Sequence, residues 1–244
     1  MVNDTSASEK SRALNVLGEN RILAGLPPAE FERLVAGMER VSLHIRDSVY
    51  DADQPIDYAY FPLSGVISVV AEMRGGSSAE LGTIGNEGML GVPLVHGTDR
   101  SCFHAFTQVS GAALRMKTQA FLKEMRALGA LHRRANLHAQ AWLAQVGQST
   151  ACNARHAIEQ RLCRWLLMTR DRVGSDQFLL THEFIGQMLG VRRPSVTVVA
   201  GILQREGLIS YRRGVITIED PGRVAQSACE CYEVVKQEYI QLLC

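Results

Sequence analysis

No run of apolar residues in this chain approaches the ~18 that a membrane span requires. The opening stretch MVNDTSASEKSRALN has no apolar centre and so does not read as a secretory signal. A cytoplasmic location with no membrane partner is expected. Charge of one sign is equally scarce: 26 Lys/Arg stand against 25 Asp/Glu, so the overall balance selects no class of partner. Cysteine pairing is missing too. Cys102, Cys152, Cys163, Cys229, Cys231 and Cys244 show no zinc-like spacing, and Cys229-x-Cys231 has neither a second pair nor a histidine near it in sequence. Reduced, partly buried thiols and no metal site are therefore expected. Finally, there is no phosphate-binding glycine loop, nucleophile elbow or paired metal-ligand motif, and Gly85-x-x-Gly88-x-x-Gly91 reads as turns. The expectation is that the chain is not an enzyme.

What is present fits two domains of ordinary size: 244 residues, 46% hydrophobic and 21% charged. Charge is unevenly spread. Residues 1–152 carry 14 Lys/Arg against 15 Asp/Glu, residues 153–223 carry 11 against 7, and residues 224–244 carry 1 against 3. The basic excess coincides with the most informative segment, Leu179 to Ile218. Thr181 suits a helix N-cap, and Phe184, Ile185, Met188 and Leu189 recur at helical spacing. Gly190 suits the left-handed helix end. Pro194 suits the first turn of a second helix, whose buried stripe is Val196, Val199, Ile202 and Leu203. Gly207 closes that helix. Ile209 and Tyr211, then Val215, Ile216 and Ile218, bracket Arg212-Arg213-Gly214 as a hairpin with a basic tip. This is the layout of a winged helix-turn-helix. Arg192 and Arg193 precede the second helix at the end that such motifs present to the major groove. A pair of core helices beside a hairpin, with its arginines facing water, is the plainer alternative.

Elsewhere, a short helix is expected from Pro27-Pro28 to about Gly37. From Val41 to about Met116, short Val/Ile/Tyr/Phe segments alternate with turn signals, which predicts a β sandwich or jelly roll. Helical periodicity returns over Gln119–Arg126 and about Leu128–Thr150. In the longer helix, Leu131, Ala135, His138, Trp142 and Gln145 share one side, and Leu137, Ala141 and Ala144 the next. Apolar residues on two sides suggest dimerisation; covering its own β domain is the other reading. A helix over Ala154–Arg172 and a tail helix after Arg223, expected to serve packing, complete the chain.

This order resembles the Crp/Fnr superfamily of bacterial transcription regulators over about residues 20 to 220. The residues that carry the resemblance are Tyr60-Phe61-Pro62-Leu63-Ser64-Gly65-Val66, Ile84-Gly85-Asn86-Glu87-Gly88 and Arg100-Ser101. Above all it rests on Ile185-Gly186-Gln187-Met188-Leu189-Gly190 continuing into Arg193-x-Ser195-Val196. The resemblance implies an α+β chain with an N-terminal β jelly-roll sensor domain, a long dimerisation helix and a C-terminal winged helix-turn-helix. The expected divisions are a flexible 1–20, a cyclic-nucleotide-binding-like roll at 21–126, the dimerisation helix at 127–152, the DNA-binding domain at 153–222 and a packing helix at 223–244. It also implies a homodimer on a palindromic operator, with double-stranded DNA and RNA polymerase as partners. The DNA-contact candidates are Thr181, Arg192, Arg193, Ser195, Thr197, Arg212 and Arg213. Family recognition helices offer Arg-Glu-(Ser/Thr)-Val; here Pro194 replaces the glutamate, and a further arginine is replaced near Val198. Arginine can bond a guanine edge, whereas proline cannot accept from cytosine, so Arg193 is expected to read guanine within an altered half-site.

In the family's cyclic-nucleotide binders a glutamate holds the ribose and an Arg-(Ser/Thr) pair holds the phosphate. Glu87, Gly88, Arg100 and Ser101 are therefore the effector candidates. Glu87 lies 13 positions before Arg100, a longer interval than those binders use, and Val146-Gly147 stand where a base-contacting Thr-Ser pair would be. A cyclic nucleotide is possible but not favoured, the alternative being a remnant pocket with Arg100 in a surface ion pair. No cysteine precedes Cys102, so no N-terminal iron–sulfur cluster is expected, and nothing marks a histidine as a haem ligand. A small-molecule sensor whose helix-turn-helix binds protein rather than DNA is the rival function.

Overall fold

A computed structural model describes residues 19–243. The expectation of mobility for residues 1–18 lies outside the described residues, but at residue 20 it does not hold. Asn20 is fully buried. Its amide donates to Pro62 O at 2.9 Å and Gly88 O at 2.8 Å. Its carbonyl oxygen caps a one-turn helix, α1 (Arg21–Ala24), by accepting from Ile22 N and Leu23 N. A second short helix, α2 (Pro28–Val35), starts at the proline pair as its sequence predicts and buries Phe31 and Leu34.

The roll follows: β1 (Glu39–Leu43), β2 (Ser48–Tyr50), β3 (Tyr58–Glu72), β4 (Ser78–Ile84), a one-turn helix α3 (Val92–Val95), and β5 (His104–Lys117). All pairings are antiparallel, in the order β1-β5-β3-β4 with β2 also on β5. The result is one five-stranded sheet, in which register shifts between Pro62 and Ile67 bend the long β3–β5 ribbon. Phe61, Ile67, Ile84, Met89 and Leu90 fill its interior.

Helix α4 (Thr118–Arg126) leads into α5 (Ala130–Arg155), the long helix. The side carrying Leu131, Ala135, His138, Trp142 and Gln145 packs on the chain's own roll, so the covering reading holds for that side. The fit is close enough that a Cβ at Gly88 would sit 2.2 Å from the His138 ring. Gly88 is thus a point of close approach as well as the end of a turn, its N–H donating to Gly85 O at 3.2 Å.

The expected helix start at Ala154 is wrong. α5 runs through Arg155, His156 and Ala157 are extended, and α6 (Ile158–Val173) begins after them. The break is fixed by Gln160 Oε1, which accepts from Ala157 N at 3.3 Å. Helix α6 is buried on nearly every side, and it carries Arg161, Arg164 and Arg172 into the interior.

The C-terminal part comprises β6 (Gln177–Leu179), α7 (His182–Leu189), α8 (Arg193–Arg205), β7 (Ile209–Arg212), β8 (Val215–Ile218), α9 (Pro221–Ser227) and α10 (Cys231–Leu243). β6, β8 and β7 form a three-stranded antiparallel sheet. α10 packs against α5 and α6, burying Tyr232, Val235 and Tyr239. No helix among the described residues is long and apolar enough to cross a membrane.

Candidate nucleic-acid interface

Thr181 caps α7, its Oγ1 accepting from Phe184 N at 3.2 Å. Gly190 ends that helix at φ 63°. The turn to α8 folds back so tightly that a Cβ at Gly186 would lie 2.9 Å from Val191 O, and Val191 N donates to Gly186 O at 2.8 Å. Glycine at 186 is therefore what permits the helix-turn-helix angle. Pro194 sits in the first turn of α8, where its missing N–H costs nothing. Val196, Ala200 and Leu203 are the buried stripe; Val199 and Ile202 are only half-buried.

The opposite face of α8 presents Arg193, Pro194, Thr197 and Val198 to solvent, with Arg192 just before it. Val198 is 63% exposed. Ser195 is half-buried. The Thr197 hydroxyl donates to Arg193 O at 3.2 Å and lies 3.1 Å from His182 Nδ1. The His182 ring stacks on Tyr211 of β7 with centroids 4.1 Å apart. Burial, and then the nearby Arg193 charge, hold the His182 pKa below its usual value. A neutral imidazole thus ties the start of α7, the recognition face of α8 and the wing together.

At the wing tip Arg213 and Gly214 have φ 52° and 84°. Both central residues in the left-handed region make the type I′ turn that suits a two-residue hairpin. Arg212 and Arg213 are exposed. Among the described residues, no carboxylate lies within ion-pair distance of Arg192, Arg193, Arg212 or Arg213.

The effector candidates do not assemble. Glu87 is buried, and Arg172 Nε of α6 donates to its Oε1 at 2.8 Å; Gly85 N also donates to its carboxylate. Arg172 Nη2 donates to Gln145 Oε1 at 2.8 Å, and the guanidinium lies near the Tyr239 ring. Glu87, Arg172 and Tyr239 border a cavity of about 220 Å³ between Asn86, α6 and α10. Arg100 is exposed and donates to Asp53 O at 2.6 Å, which is not the surface ion pair of the alternative reading. Ser101 is buried and its Oγ accepts from Phe103 N at 3.1 Å. They line a second cavity of about 280 Å³, whose wall includes Val69, Ile84, Leu90, Phe103 and Trp142. Glu87 and Arg100 therefore face different spaces, because Arg172 has drawn the carboxylate toward α6. Gly88 stands against the His138 ring.

Residues 160–226 match the model of the Crp-like helix-turn-helix domain. This segment is similar to Crp-like helix-turn-helix domains. A comparison with curated proteins finds no match. Among solved structures, a regulator assigned to the Crp/Fnr family from Eubacterium rectale aligns with TM-score 0.66 and 16% identity, over 84% of this chain and 96% of its own. A CRP-family transcriptional regulator from Thermus thermophilus aligns with TM-score 0.65 and 21% identity, over 78% and 96%. The c-di-GMP-responsive global regulator of Xanthomonas campestris aligns with TM-score 0.63 and 18% identity, over 80% and 100%. Over most of the described residues the chain thus has the fold of Crp/Fnr transcription regulators, with a β-rich N-terminal domain ahead of the Crp-like domain.

The Crp-like domain is docked on the roll through α6 and α7 rather than α8. Phe184 meets Phe106 edge to face at 6.0 Å, Gln187 Nε2 donates to Ser78 Oγ at 2.7 Å, and Trp165 Nε1 donates to Glu80 Oε1 at 2.9 Å. Burial pushes the Glu80 pKa up, against the bonds from Ser68 and Trp165. Nothing in the sequence signals Arg172 as Glu87's partner, since an arginine near a helix end ordinarily faces water. A grouping is hidden there too. Cys152 and His156 come beside Cys229 and Cys231, a proximity that linear spacing does not show.

Proposed function

We propose that this protein is a DNA-binding transcription regulator that grips a palindromic operator as a homodimer, under control of its N-terminal roll. The observation that carries the reading is the set of exposed arginines, without carboxylate partners among the described residues, at the start of α8 and on the wing, joined through His182. Such guanidinium groups on a helix N-terminus and a wing tip match phosphate and base-edge recognition. Arg193 is the base reader, Arg212 and Arg213 are phosphate contacts, and Val198 offers an apolar contact to a thymine methyl. Thr181 acts by capping α7 rather than through its own DNA bond.

Helix α5 supports pairing of two copies. Asn136, Gln140, Leu143, Gly147 and Thr150 form its solvent face with the four–three spacing of a coiled-coil seam. Leu143 is 64% exposed on that face, and the space around Gly147 is open. RNA polymerase is the protein partner implied at a promoter. With Glu87 held by Arg172, a cyclic nucleotide is not the favoured signal, and the reading needs neither haem nor an iron–sulfur cluster.

Selection of bound duplexes from a random pool tests this. An inverted repeat with half-sites about 10 base pairs apart is expected, as for other paired helix-turn-helix readers. Recovery of no enriched sequence would count against it.

A further inference from the structure

Cys152, Cys229 and Cys231 form a buried cluster of their own at the end of α5, and half-buried His156 adjoins them. One ligand atom from each of the four lies within 4.8 Å of all the others. Cys152 Sγ is 3.5 Å from Cys229 Sγ, and Cys231 Sγ is 3.5 Å from His156 Nδ1. A tetrahedral zinc ion, with bonds of about 2.3 Å to sulfur and 2.0 Å to nitrogen, needs edges of about 3.8 Å between sulfurs and 3.5 Å from sulfur to nitrogen. The observed spacing is within a small side-chain adjustment of that frame.

The surroundings fit as well. His156 Nε2 is 3.3 Å from Glu230 Oε1. A carboxylate on one ring nitrogen orients the other toward a metal, the usual arrangement behind a ligating histidine. Gln148 Nε2 donates to Cys231 Sγ at 3.1 Å, a bond that a thiolate accepts better than a thiol. Charge supplies an independent argument. Arg161 and Arg164 are buried, and both act electrostatically on Cys152. Their Nε atoms have no hydrogen-bond partner among the described residues, and neither side chain pairs with a described carboxylate within 4 Å. Arg164 feels Glu80 only at longer range. A buried cation without a counter-ion is costly. Three thiolates around a divalent ion carry a net −1, which supplies a counter-charge beside them.

We propose that Cys152, His156, Cys229 and Cys231 bind one zinc ion. The four ligands come from the last turn of α5, from the two-residue break before α6, and from the entry to α10. The ion therefore fixes the junction between the long helix and the Crp-like domain to the C-terminal helix. Ligands converge on one point from single side chains, as a mononuclear centre requires.

Full-length protein purified without chelator is expected to carry one zinc per chain. Cobalt added to the stripped protein should give the intense visible bands and thiolate charge transfer of a tetrahedral Cys₃His centre. Cys229→Ser should abolish both, while Cys102→Ser, an exposed thiol outside the cluster, should change neither. Because Cys229→Ser can also fail to fold, the wild type supplies a second reading: metal should shield three thiols per chain from an alkylating reagent, and stripping should release them. A cobalt spectrum without thiolate charge transfer overturns the proposal. So does equal alkylation with and without metal, or a Cys152–Cys229 disulfide in protein that takes up no metal.

Discussion

Arg172 Nε donates to Glu87 Oε1 at 2.8 Å, joining two buried charges 85 positions apart, one on the long α6 of the Crp-like domain and one on the roll. Desolvation opposes the Arg172 charge, and Glu87, together with Tyr239 and Asp171, offsets it. Removing one member strands the other, which costs about 3–5 kcal/mol in buried pairs of this kind. Arg172→Met should therefore lower unfolding stability by about that amount. The double variant Glu87→Gln/Arg172→Met should recover a large part of it. Urea titration of the singles and the double checks the cycle; strict additivity would show that the two side chains are not coupled.

Base reading and phosphate contact should separate on α8 and the wing. Arg193→Ala is expected to cost about 1–3 kcal/mol on the preferred duplex and much less on random sequence. Arg213→Ala should weaken both alike and reduce the salt slope by about one. Competition titrations at several salt concentrations distinguish the two patterns; equal losses for Arg193→Ala on both duplexes would make it a phosphate contact.

His138 gives a pH dependence with a definite sign. Burial lowers its pKa from 6.5 to about 4, with Glu87 and the Met89 backbone bond pulling the other way. A depressed folded-state value favours the neutral ring, so its contribution is complete above about 6.5 and is lost as pH falls toward about 4. The full loss is of order 3 kcal/mol. His138→Gln should flatten the pH 7.5 to 4.5 stability profile; an unchanged slope would assign that dependence to other groups.

The caps and turns of the Crp-like domain were legible in the sequence because they depend on one or two residues each. Thr181, Gly190, Pro194 and Gly207 sit where their local chemistry places them. The bent β roll was legible as a class, from alternating strands and turns. What stayed hidden was long-range. Glu87 looked like a ligand residue because nothing near it in sequence announces Arg172, and Cys229-x-Cys231 looked incomplete because its partners lie 75 or more positions away. Likewise Leu131, His138 and Gln145 have coiled-coil spacing, yet all three are buried in the chain's own core, Gly88 admitting His138 and Gly82 admitting Gln145.

Thr181 can be tested as a cap. Thr181→Ala should cost about 1 kcal/mol through loss of the bond to Phe184 N, and Thr181→Asn, another capping residue, should restore most of it. Thermal unfolding of both variants gives the answer. Full stability in the alanine variant would mean that the hydroxyl is spare for another role.

The most direct test of the central claim is a salt-titrated gel shift of the full-length protein on the DNA upstream of its own gene. Binding that is competed by one two-fold symmetric site, resists random competitor and weakens with salt is the expected result. A protein that is folded and dimeric yet shows no sequence-preferring complex at any salt concentration would contradict it.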